Sequence, residues 1–102
     1  MRQFLSATET VQGFTGLRAL VIGDAMLDTW LEGEAIRLCK EAPVPVVREV
    51  STTHCPGGAA NTAVNPAALG ADVAYVAFIG SDQPGRHLRE AFRAVALDDR
   101  HL

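Results

Sequence analysis

The groups best suited to chemistry in this chain are Asp24 and Asp28 in GDAMLD, Gly57 and Gly58 in CPGGAAN, and Asn61 three residues beyond. Together they could hold a polyhydroxylated ligand. Each hydroxyl needs a donor and an acceptor. Carboxylates offer acceptors only, while a primary amide offers both. Glycine lets backbone come close to a ligand because no Cβ intervenes. The first N–H groups of a helix have no partner within it and point outward. Donors and acceptors opposed across a narrow gap therefore suit a polyol. Each feature also has a plainer use. A Gly-Gly pair before a helix makes a tight turn. Asp24 can cap or solvate a strand end. Asp82 reads more readily as a helix cap than as a ligand group.

Other chemistries find little support. Cys39 and Cys55 form no C-x-x-C pair, and His54 beside Cys55 is poorly placed to share an ion with it. Both cysteines read as packed or exposed thiols rather than a disulfide. Neither a Walker A loop nor a G-x-G-x-x-G segment occurs. His54, His87 and His101 lack the sequence neighbours of a nucleophilic triad. No catalytic residue and no metal ligand is assigned.

The elements that must position these groups follow from hydrophobic period. LRALVIG (17–23) and DVAYVAFIG (72–80) are apolar runs ended by glycine, as strands buried on both faces read. Between them Ala60, Ala63, Val64, Ala67 and Ala68 fall on one helical face, predicting a helix over 58–69 that ends at Gly70. Leu88, Ala91, Phe92, Val95 and Ala96 predict a second helix over 84–96, with Pro84 tolerated in its first turn. Arg86, Arg89 and Arg93 read as its solvated side. Residues 29–53 mix prolines, charges and β-branched residues, and predict two or three short strands in a small projecting sheet. Residues 1–16 read as a lead-in with one short helical turn, and 17–102 as one partial domain. Trp30 and Tyr75 are expected to pack. Pro66 lacks the N–H that would bond the Thr62 carbonyl and costs ~3 kcal/mol inside a helix, which predicts a kink or break near 62–66. The order implies an α/β fold with a parallel pair joined by a crossover. Ligands of such sheets sit beyond the carboxyl ends of the strands, where Asp24, Asp28, Gly57, Gly58, Asn61 and Asp82 all fall.

The chain has 102 residues, 48% of them apolar, with a net charge of -3. This excludes a disordered composition and the basic face of a nucleic-acid binder. No apolar run approaches the ~20 residues of a membrane span, and the first residues lack a signal-peptide core. The expectation is a soluble cytoplasmic protein with no nucleic-acid or membrane partner.

GGAANTAVNPAALG, with Gly80 following, resembles the N-terminal signature of the ribokinase-like (PfkB) carbohydrate kinases. VIGDAMLD and EAPVPVV are most similar to the D-glycero-D-manno-heptose-7-phosphate kinase branch, a module of bifunctional ADP-heptose synthesis proteins. The likeness spans roughly residues 18–98. It implies a three-layer, Rossmann-like fold with residues 29–53 as a β lid. It implies sugar contacts at Asp28, Gly57, Gly58 and Asn61, with Asp24 nearby. It implies ATP and Mg²⁺ as cofactors of the intact family and a sugar or sugar phosphate as partner; a homodimer through the lid is a separate partner expectation. The family carries its catalytic base in a G-A-G-D segment that has no counterpart here, so no activity is assigned to this chain alone. The reading is the sugar-binding part of a sugar kinase that transfers the ATP γ-phosphoryl to a sugar hydroxyl. The rivals are a non-catalytic sugar-binding or lid-dimerising remnant, or an unstable truncated product.

Overall fold

The computed structural model describes residues 5–102. It begins with a helix, α1 (Ala7–Gln12), and a single 3₁₀ turn (Gly13–Gly16). The start of α1 is set by a reciprocal cap. The Glu9 N–H donates to Ser6 Oγ at 3.2 Å, and the Ser6 N–H donates to the Glu9 carboxylate at 2.8 Å. The S-x-x-E pattern of SATE carries this signal. So residues 7–16 of the lead-in hold more helix than the single turn expected, and residues 1–4 of it lie outside the described residues.

Two strands, β1 (Arg18–Ile22) and β4 (Asp72–Val76), pair in parallel, running from Arg18↔Asp72 to Ile22↔Val76. Strand β4 is shorter than the 72–80 run predicted. Beyond Ile22 the chain turns away at Gly23, so residues 77–80 have no partner on that side. The expectation of strands buried on both faces also fails. Val73 and Tyr75 are buried and Ala19 and Val21 pack behind them, while Leu20 and Ile22 on the other face are 62% and 71% exposed. The chain supplies helices to one face only. Asp98 makes an isolated parallel bridge to Ala74 on the edge of β4 opposite β1.

The crossover between β1 and β4 carries a long antiparallel hairpin and a helix. The hairpin is formed by β2 (Ala25–Leu38) and β3 (Pro45–Gly57). Two long strands thus replace the two or three short ones predicted, and the lid runs over 25–57 rather than 29–53. Irregularities between Glu32 and Gly33 and between Ala35 and Arg37 break the alternation that would have shown a single long strand. Pro45 sits at the first position of β3, where a missing donor is tolerated.

Helix α2 (Gly58–Ala68) follows without a linker, and α3 (Gln83–Ala94) follows β4. Ala60, Ala63 and Ala67 of α2 are buried with Val73, Tyr75, Leu88, Phe92 and Leu97. The alanines let α2 lie close to the sheet. Phe92 meets Tyr75 edge-on, with centroids 5.6 Å apart at 82°, a geometry that favours aromatic pairs. Asp82 caps α3, its carboxylate accepting from the Gly85 N–H at 3.0 Å, as predicted.

Of the kink or break expected near 62–66, the break is absent, since α2 runs uninterrupted through Pro66. Pro66 lies in the last turn, and the Thr62 carbonyl it deprives belongs to an exposed residue that water can reach. The cost is therefore smaller than at mid-helix. Pro66→Ala is expected to raise stability by about 1–2 kcal/mol. A thermal melt in which the variant unfolds no later than the parent would refute this account. Among the described residues no helix is long and apolar enough to cross a membrane.

Candidate functional site

At the carboxyl end of β1 the chain turns through Gly23 and Asp24 and enters β2. The turn is held from two sides. The Tyr75 hydroxyl donates to the Gly23 carbonyl at 3.1 Å, and the Ala59 N–H of α2 donates to the Asp24 carbonyl at 3.1 Å. Burial pushes the Tyr75 hydroxyl pKa up, and the negative charge of Asp24 adds to the shift. The neutral phenol is thus kept as a donor. Tyr75→Phe keeps the ring and loses the donor, so it is expected to cost about 1 kcal/mol. Matched denaturant midpoints for variant and parent would contradict this role.

Asp28 lies on β2 opposite Cys55, and Met26 lies opposite Gly57. Met26, Asp28, Cys55 and Gly57 therefore share one face of the hairpin. The Asp28 side chain leans across the ladder onto Gly57. A Cβ at Gly57 would stand 2.5 Å from Asp28 Oδ2 and 2.8 Å from its Cγ. Gly57 is also the N-cap of α2, with no side-chain cap of its own. The carboxylate thus sits beside the first residues of that helix. Gly58 has a left-handed φ of 58°, a conformation costly for residues with a Cβ. A Cβ there would lie 3.2 Å from the Asp24 carbonyl oxygen.

Asn61 lies one turn further along α2, exposed. Its side-chain oxygen accepts from Asn65 Nδ2 at 3.0 Å, while that same Nδ2 donates to the Asn61 carbonyl at 2.8 Å. Asn65 therefore fixes the Asn61 amide and leaves its NH₂ as the outward donor. The i, i+4 spacing is legible in sequence, although Asn65 was not among the expected residues.

The structure thus brings Asp28 against Gly57, places Asp24 against Gly58 through backbone, and puts Asn61 one turn further along α2. It does not bring in Asp82, which is used as a cap. Trp30 departs from expectation: it is 68% exposed rather than packed. His54 and His87 also have neighbours the sequence did not reveal. Their rings stack 4.4 Å apart at 24°, with Thr29 Oγ1 3.0 Å from His54 Nδ1. This stack joins the base of the hairpin to α3.

Among the described residues no three His, Cys, Asp or Glu side chains converge in a way that could hold a metal ion. A cleft opens at the other end of the strands, between Arg18, Asp72, Asp98 and Arg100. It lies away from the carboxyl edge where sheets of this kind take ligands. The groups at the carboxyl edge can accept and donate hydrogen bonds to adjacent hydroxyls.

The profile of the family described as pfkB family carbohydrate kinase matches residues 17–102. Among similar proteins, the bifunctional protein HldE of Halorhodospira halophila is 43% identical over 91% of this chain and 20% of its own length. The protein of the same name from Geotalea uraniireducens is 49% identical over 80% of this chain and 17% of its own. That from Magnetococcus marinus is 44% identical over 92% and 19%. The chain thus spans about a fifth of the length of these relatives. Its parallel β1–β4 pair with helices and inserted hairpin agrees with part of a ribokinase-like fold. The chain belongs to the pfkB family of carbohydrate kinases.

Proposed function

We propose that this chain is the sugar-binding part of an ATP-dependent sugar kinase, with a heptose 7-phosphate as the sugar. The observation that carries the reading is the Asp28 carboxylate folded over Gly57 at the open start of α2. In it, the carboxylate of Asp28 and the amide of Asn61 grip neighbouring sugar hydroxyls, with the backbone at Gly57 and Gly58 forming the floor. Asp24 bounds the same end of the sheet. Bound in this way, the sugar loses the freedom that otherwise opposes reaction. The family pairs such a sugar with ATP, which would supply the phosphoryl group, and Mg²⁺, which would neutralise its charge. No residue of this chain is proposed as base or nucleotide ligand. A cytoplasmic location belongs to the same reading.

A second reading has its own support. Leu31, Val47 and Val50 of the hairpin are exposed, as are Leu20, Ile22 and Phe78 on the bare side of β1 and β4. Apolar surface of this kind favours self-association, so a non-catalytic module that dimerises through the hairpin is the alternative.

Calorimetric titration of the chain with D-glycero-D-manno-heptose 7-phosphate decides between them, with inorganic phosphate as control. Saturable binding of the sugar phosphate alone, weakened at least about tenfold by Asp28→Asn, is the expected result. A dimer that takes up no sugar phosphate would support the second reading instead.

A further inference from the structure

Trp30 is the only tryptophan in the chain. It lies two residues after Asp28 on β2, so it shares Asp28's face of the hairpin, about 6.5–7 Å along the strand. Its cross-strand partner is Thr53, a small residue that leaves the indole uncovered, and 68% of Trp30 is exposed. The strand irregularity lies further out, between Glu32 and Gly33. Trp30 therefore belongs to the regular segment that also holds Asp28, and that segment is joined to the body through the His54–His87 stack. Packing within the chain does not account for a large, rigid aromatic beside the Asp28 carboxylate.

We infer that Trp30 is a specificity-determining residue for the proposed sugar site, and that its indole stacks on the C–H face of the sugar ring whose hydroxyls Asp28 holds. The inference rests on the sugar-binding reading above. A sugar ring has hydroxyls at its rim and a face of C–H bonds carrying slight positive charge. The indole face is electron-rich and broad, so it attracts that surface and sheds water on contact. Asp28 and Asn61 would accept any ligand with suitably spaced hydroxyls, including an open-chain polyol. The indole adds a requirement for a closed ring with an uninterrupted C–H face.

Because the chain has one tryptophan, its emission reports on the surroundings of Trp30. The experiment titrates the 102-residue chain with D-glycero-D-manno-heptose 7-phosphate, followed by fluorescence and calorimetry in parallel. The open-chain alditol sorbitol 6-phosphate serves as comparison. The expected result is a saturable shift of the emission that tracks the calorimetric isotherm and is absent with sorbitol 6-phosphate. Trp30→Ala is expected to weaken heptose phosphate binding about three- to tenfold, and Trp30→Phe to restore most of the loss. Calorimetric binding with unchanged emission and an unaffected Trp30→Ala variant would overturn the stacking role and leave the sugar site standing. No binding of the heptose phosphate by the parent chain would overturn the sugar site and the stacking role with it. The exposure of Trp30 makes both substitutions tolerable to the fold.

Discussion

Gly57→Ala is expected to cost the candidate site its ligand while leaving the fold nearly as stable as before. The backbone at Gly57 is extended, with φ -121° and ψ 173°, which any residue adopts without strain. The methyl group is what cannot be accommodated. It would lie 2.5 Å from Asp28 Oδ2, so the short Asp28 side chain must swing out of the site. An exposed carboxylate does this cheaply, and the stability change should stay within ~1 kcal/mol. Binding of a heptose phosphate should fall at least about tenfold. Calorimetry together with a circular-dichroism melt separates the two effects. Full affinity in a folded Gly57→Ala variant would mean that the Asp28–Gly57 contact holds nothing.

Phe92→Ala carries the largest expected effect on stability. Phe92 is fully buried, packs edge-on against Tyr75, and belongs to a core otherwise built from alanines and a few aliphatic side chains. Removing it loses the burial of a large ring and opens a cavity beside Tyr75, costing about 3–5 kcal/mol. The total stability of a small domain is itself only ~5–15 kcal/mol. One face of the β1–β4 pair adds nothing to that total, because Leu20 and Ile22 face water. The variant is expected to show no cooperative thermal transition where the parent shows one. A melt within a few degrees of the parent would place the weight of the core elsewhere.

These expectations draw on features of unequal legibility. The helical faces could be read from spacing, and Ala60, Ala63, Ala67, Leu88 and Phe92 are buried where the period put them. The parallel pairing of β1 and β4 followed from two apolar runs separated by a helix. The length of the hairpin did not, because its irregularities interrupt the two-residue alternation that marks a strand. Nor did the bare sheet face, since an apolar run looks the same whether one side or both are covered. The glycine pair was visible, but what lies against it was not. The Asp28–Gly57 approach joins residues far apart in sequence and depends on the diagonal of an antiparallel ladder. The His54–His87 stack is likewise a tertiary contact, with no local pattern to announce it. The Asn65–Asn61 bond and the Ser6–Glu9 cap had local signals of four and three residues' spacing.

The hairpin between β1 and β4 also bears on the order in which the chain assembles. Joining β1 to β4 means closing the chain across residues 23–71, and the entropy of that closure rises with the length left loose. The bridge between Ala25 and Gly58 ties the two ends of the hairpin together. Once β2 and β3 have zipped, the loop still to be closed is little more than α2. Zipping is local and fast, while parallel pairing across a long separation is slow. The hairpin that carries Asp28 and Trp30 is thus also a shortcut to the sheet, because it brings the end of β1 to the start of α2 before the sheet exists. Prolines at both Val46 and Val47, which disrupt the ladder far from the core, are expected to slow refolding measured by stopped flow. An unchanged rate would mean that β1 and β4 find each other without it.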